Sequence, residues 1–138
     1  MPTRLNPYLG FRGDARAAME FYREVFGGEL TLTTFGELDL GQDPAEKDKV
    51  MHAQLETPGG LVLMAADTPD VMPYTPGDTI SVSLSGDDDA ELSGYWAQLS
   101  DSGSVTVPLE VAPWGDKFGM CTDRFGVAWM VNIAGSPT

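Results

Sequence analysis

The stretch NPYLGFRGDARAAMEFYREVFGGEL, Asn6–Leu30, sets the architecture. Leu5 to Phe11 reads as a short strand, Gly13-Asp14 as a break with an N-cap carboxylate, and the chain from Ala15 as a helix that Gly27-Gly28 stops. Ala15, Ala18, Met19, Tyr22 and Phe26 recur at helical spacing, while Arg16, Glu20, Arg23 and Glu24 take the opposite side. Outward from the helix, Glu29 to Phe35 is a Thr-rich strand, and the acidic, Pro-containing stretch from Glu37 to Asp48 is a loop. Val50 to Glu56 alternates, with Met51, Ala53 and Leu55 on one side and His52, Gln54 and Glu56 on the other. Thr57-Pro58-Gly59-Gly60 then turns the chain into Leu61–Ala66. The order is β-α-β-β-β.

The second half repeats the first. A fixed offset lays Leu5–Phe11 on Thr79–Ser85, Asp14 on Asp88, Phe21-Tyr22 on Tyr95-Trp96 and Val25 on Leu99. A slightly smaller one lays Gly60–Met64 on Gly126–Met130. Leu92, Tyr95, Trp96 and Leu99 renew the helical stripe, and Asp87 to Asp89 cap that helix where the macrodipole favours negative charge. The expected class is α+β: a βαβββ module over residues 1–68, a linker over 69–78, and a second module over 79–138, forming one structural domain. Each helix covers one face of its sheet. Curved mixed sheets set side by side would leave their other faces as a concave trough, with the helices outside.

Composition removes whole classes of function. Eight basic against 21 acidic residues give a net charge of −13, which repels phosphate backbones, so no nucleic-acid partner is expected. With one His and one Cys, neither zinc fingers nor iron–sulfur clusters have ligands, and no disulfide forms within the chain. No apolar run approaches the roughly 18 residues of a membrane span. Met1-Pro2-Thr3-Arg4 has no apolar core resembling a signal peptide, so the expected location is cytoplasmic.

Five segments carry a resemblance. They are NPYLGFRGDARAAMEFYREVFGGEL at Asn6–Leu30, VMHAQL at Val50–Leu55, LVLMAAD at Leu61–Asp67, VSLSGDD at Val82–Asp88 and PWGDKFGMCTDRFGVAWMVNI at Pro113–Ile133. Together they resemble the vicinal oxygen chelate superfamily of glyoxalase I, extradiol dioxygenases, and bleomycin and fosfomycin resistance proteins, and within it the PhnB-like branch. Metal-dependent members of that superfamily hold a divalent ion on side chains from the first and last strand of each module. Here the first-strand positions fall on Pro7 and Ser81 and the last-strand positions on Met64 and Met130. Pro offers no donor, neutral Ser a weak one, and thioethers suit only soft metals. The resemblance therefore implies a member with no metal site and no cofactor.

The expected function is a metal-independent small-molecule-binding protein of the glyoxalase/bleomycin-resistance type. Its pocket is lined by Met64, Ser83, Trp114, Asp116 and Met130. The Met thioethers supply polarizable apolar surface, Ser83 a weak hydrogen-bonding group, Trp114 an indole for a planar or cationic ligand, and Asp116 a counter-charge. An aromatic or cationic small molecule is the expected partner. Trp114 also fits a turn anchored by a buried indole. Asp123-Arg124-Phe125-Gly126 reads as the turn into the last strand.

The first alternative is a lyase, isomerase or dioxygenase-like enzyme acting on a small oxygenated substrate. Its catalytic candidate is His52, whose unperturbed pKa lies near neutrality, with Glu56, Glu110, Asp116 and Cys121 as further titratable groups. Cys121, beside Met120 and Thr122, reads as a buried small residue. The second alternative is a structural or regulatory dimer with a vestigial trough. Open sheet edges and the resemblance both point to a homodimer.

Overall fold

The computed structural model describes residues 3–37, 47–69, 72–77 and 79–135. Most of the acidic loop expected over Glu37–Asp48, and parts of the 69–78 linker, lie outside the described residues. The elements run β1 (Tyr8–Phe11), α1 (Ala15–Phe26), β2 (Glu29–Thr34), β3 (Val50–Glu56), β4 (Val62–Asp67), β5 (Val82–Gly86), α2 (Asp89–Asp101), β6 (Ser104–Val111), β7 (Lys117–Thr122) and β8 (Ala128–Ile133). The chain divides into a first unit, Met1–Pro76, and a second, Gly77–Thr138, so most of the linker belongs to the first unit.

Both units share one topology. Their sheets are ordered β1-β4-β3-β2 and β5-β8-β7-β6. In each, the first strand pairs parallel with the last and the remaining pairs are antiparallel. The result is two open, mixed, four-stranded sheets, each with its own helix: the α+β pair of βαβββ modules that the sequence offset predicts.

In the first unit α1 lays Ala15, Ala18, Met19, Phe21, Tyr22 and Val25 against β2, β3 and β4. The strands answer with Phe11, Ala53, Leu55, Leu63 and Ala65, all buried. The alanines keep helix and sheet close, and each large side chain so buried contributes about 1.5–3 kcal/mol relative to exposure. The buried stripe is wider than the sequence spacing suggests: Phe21 and Val25 join it, and Phe26 is only half-buried.

α1 starts at Ala15 as expected, but its capping differs. Asp14 makes no side-chain cap. Asp67, at the end of β4, takes that role from across the unit: its Oδ1 accepts from the N–H groups of Gly13 (2.8 Å) and Ala15 (3.0 Å), and its Oδ2 from Val50 N–H (2.9 Å). One buried carboxylate thus ties the N-terminus of α1 to β3 and β4, and its desolvation is offset by charge-assisted hydrogen bonds.

The second unit follows the same plan with a thinner helical contact. Only Leu92 and Leu99 of α2 are buried, against Leu84, Cys121, Trp129, Val131 and Ile133. Tyr95 and Trp96 are half-buried. Asp88 caps α2, accepting from Glu91 N–H at 3.1 Å, and Asp89 pairs with Lys117 at 2.7 Å, which holds its carboxyl below the usual range. The edge strand β6 carries Pro108, which lacks a ladder donor and is tolerated at an edge because one side of the strand pairs with no neighbour, and the pairing of β6 with β7 is interrupted by register shifts. Gly28 and Gly103 hold matching places after the two helices. A Cβ at either would collide with the carbonyl oxygen of Glu56 or of Thr122, the last residues of β3 and β7.

Candidate functional site

Strand alternation sends one set of side chains under each helix and the other to the face the helix leaves uncovered. In the first unit the uncovered set includes Tyr8, His52, Gln54, Glu56 and Met64. Register places Tyr8 opposite Met64, Met64 opposite Gln54, and Gln54 opposite Thr31, one row across all four strands. The first-strand position on this face is therefore Tyr8. Pro7 has the opposite parity, shared with Phe11, which is buried under α1.

Tyr8 reaches across β4 to His52. Its hydroxyl lies 3.2 Å from His52 Nδ1, and the two rings sit 5.8 Å apart and tilted by 38°. Two residues further along the same face of β3, Gln54 Nε2 donates to Glu56 Oε1 at 2.6 Å. His52 and Met64 are half-buried; Tyr8 is 54% exposed. A groove of about 510 Å³ lies beside Arg4, Asn6, Glu56 and Leu61, and of the candidates named from sequence only Glu56 lines it.

The uncovered face of the second unit is more apolar. Ser83, Met130, Met120 and Val107 form one cross-strand row, and Ser85, Asn132, Phe118 and Glu110 the next. Ser83, not Ser81, is thus the residue in register with Met130. The connection from first strand to helix is one residue shorter here than in the first unit, so no single count back from the two helix starts reaches both Tyr8 and Ser83.

Beyond this face the β6–β7 turn carries Trp114. Its indole is 62% exposed and stands edge-on to Phe118 with ring centres 5.7 Å apart, so it does not anchor the turn by burial. Asp116 has both oxygens engaged: Oδ1 accepts from Gly135 N–H at 2.8 Å and Oδ2 from Asn132 Nδ2 at 3.1 Å. Those bonds hold its carboxyl below the ordinary range. It is an ionised group fixed at the edge of an apolar face, with less freedom to turn toward a ligand than an unbonded carboxylate.

Cys121 faces α2 and is buried; burial first, then the charge of Asp123, raise its pKa from 9.0 to about 11. A thiol of that kind is a poor nucleophile at neutral pH. Asp123 closes the turn into β8, accepting from the N–H groups of Phe125 and Val127 and from Trp129 Nε1 at 2.8 Å.

Phe118 and Met120 were not among the candidates named from sequence. The signal was available: the offset that lays Met64 on Met130 also lays His52, Gln54 and Glu56 on Phe118, Met120 and Thr122. Tyr8 was missed because its parity follows from where Phe11 is buried. As for a metal, no group of three or more His, Cys, Asp or Glu comes together among the described residues. The first- and last-strand pairs, Tyr8 with Met64 and Ser83 with Met130, present a phenol, a hydroxyl and two thioethers. That donor set does not fit a divalent ion that takes imidazole or carboxylate ligands.

Comparison with known proteins agrees with the paired βαβββ fold. The model of the Glyoxalase/Bleomycin resistance protein/Dioxygenase superfamily matches residues 4–131. Protein YjdN of Escherichia coli is 29% identical over 142 residues, with 94% of each chain covered. The crystal structure of protein PA1353 from Pseudomonas aeruginosa superposes with a TM-score of 0.86 at 40% identity, covering 98% of this chain and 100% of that one. A Bacillus cereus structure described as a putative 3-demethylubiquinone-9 3-methyltransferase, PhnB protein, superposes with a TM-score of 0.76 at 24% identity, over 96% of this chain and 100% of that one, which speaks to fold alone.

Proposed function

The chain belongs to the glyoxalase/bleomycin resistance protein/dioxygenase superfamily, and on that premise we propose that it is a metal-independent small-molecule-binding protein, of the PhnB-like branch and acting in the cytoplasm. One observation carries the reading. Where metal-dependent relatives need hard or borderline donors, this chain has Met64 opposite Tyr8 and Met130 opposite Ser83. Thioethers at those places exchange charge for adaptable, polarizable surface, which suits an aromatic or irregular molecule. On the second unit Met120, Phe118 and Trp114 extend that surface, and about 100 Å² of apolar burial there is worth about 2.5 kcal/mol.

The working form is a homodimer. β6 supports this: it is an edge strand whose Val105, Val107 and Val111 are exposed, and Glu110 is its one charged residue in a chain of net charge −13, so a second copy meets apolar surface with little charge of its own there. Light scattering at micromolar concentration tests it; a monomer would contradict it.

The binding reading is tested by thermal unfolding of chelator-treated protein against a panel of aromatic and cationic small molecules. A ligand at 100 times its dissociation constant stabilises by about 2.7 kcal/mol. The expected result is a stabilising class whose effect is unchanged by nickel, zinc, iron or manganese. A blank panel, or stabilisation that requires one of those ions, would overturn the reading.

A second reading, a lyase-, isomerase- or dioxygenase-like enzyme on a small oxygenated substrate, is favoured by the Tyr8–His52 contact on the uncovered face. It predicts a turnover that His52→Ala abolishes while binding persists.

A further inference from the structure

We infer that Tyr8 fixes His52 as a hydrogen-bond donor that reads a neutral carbonyl oxygen, of a ketone, quinone or amide, on an aromatic molecule held at the uncovered face of the first sheet. The inference rests on the binding reading and gives its ligand a chemical class.

The contact between Tyr8 Oη and His52 Nδ1, at 3.2 Å, can form in two directions. A phenol oxygen is a weak acceptor, because its lone pair is delocalised into the ring. The bare nitrogen of a neutral imidazole is a strong one, and a phenol is a good donor. The hydroxyl therefore donates to Nδ1, and the imidazole proton resides on Nε2. No hydrogen bond to Nε2 is made among the described residues, so a donor is left on a face the helix does not cover.

An acceptor atom completes that geometry. Its charge is set by the surroundings: Glu56 lies on the same face of β3, and the chain carries −13 overall, so a carboxylate approaches against repulsion while a carbonyl does not. The half-buried Met64 thioether and the Tyr8 ring, opposite one another in the register of β1 and β4, supply the surface for an attached aromatic ring. In this arrangement His52 orients a ligand. Acting as a base through Nε2 would require the other tautomer and the loss of the Tyr8 donation.

The test is nitrogen-15 NMR of the histidine ring, recorded at a pH above which the ring signals no longer move, in the wild type and in Tyr8→Phe, followed by titration with acetophenone, its oxygen-free isostere ethylbenzene, and benzoate. The expected result is the Nε2–H tautomer in the wild type and a mixture in Tyr8→Phe. Acetophenone should shift the His52 ring and bind roughly three- to tenfold tighter than ethylbenzene. His52→Phe should lose that preference, and benzoate should bind more weakly than acetophenone. The Nδ1–H tautomer in the wild type, a ratio untouched by Tyr8→Phe, or equal binding of acetophenone and ethylbenzene would overturn the inference. Probes that move the Met120 and Met130 methyls and leave His52 still would overturn it while the binding reading stands. If acetophenone moves no resonance the inference falls, and a blank thermal panel would then remove the binding reading as well.

Discussion

Asp67 and Asp123 are the two buried charged side chains among the described residues, and each accepts three N–H groups. Neither can be replaced by its amide without aiming an NH2 at a donor. Asp67→Asn should lower unfolding stability by about 2–3 kcal/mol in urea titrations with no change in slope. Cys121 makes a prediction of the opposite temper. Its pKa is raised from 9.0 unfolded to about 11 folded, so its contribution to stability is fully present below about pH 9 and is lost as pH rises through about 11. Chemical denaturation across that window should show a decline that Cys121→Ala flattens. Alkylation of native protein at neutral pH should be slow. A thiol modified rapidly before unfolding would contradict this burial.

At the level of elements, the βαβββ order, the bounds of β3 and the start of α1 were legible because amphipathic spacing and glycine breaks act locally. The cap on α1 was not. Asp14 sits where a cap belongs, yet the acceptor comes from Asp67, remote in sequence, and no local pattern reports that. The uncovered-face residues were legible in part: Met64, Met130, Ser83 and His52 follow from parity and offset, whereas Tyr8 depends on the length of the connection to α1. The two helices also differ in how firmly they seat. With only Leu92 and Leu99 of α2 buried and the β6 valines exposed, amides of α2 and β6 should exchange with deuterium faster than those of α1 and β3. Gly28→Ala and Gly103→Ala should each destabilise by about 1–3 kcal/mol, since backbone rather than a flexible side chain blocks the added methyl.

For the whole chain, a net charge of −13 on 138 residues means self-repulsion, so adding salt at neutral pH should raise the unfolding midpoint, and duplex DNA should not bind at any salt concentration. The same field disfavours anionic ligands. Neutral and cationic aromatics are therefore the ligands proposed for the thioether and indole surfaces. The central claim is the proposed one, that such a molecule is held at an uncovered sheet face, by Met64 on the first unit or by Met120 and Met130 on the second, without help from a divalent ion. Methyl NMR of carbon-13-labelled methionine, recorded on chelator-treated protein during titration with the aromatic hit, tests this most directly. The account predicts that at least one of these three methyl signals moves to saturation and follows the same curve after nickel or zinc is added. Signals that move only once an ion has bound stoichiometrically, or that never move, would contradict it.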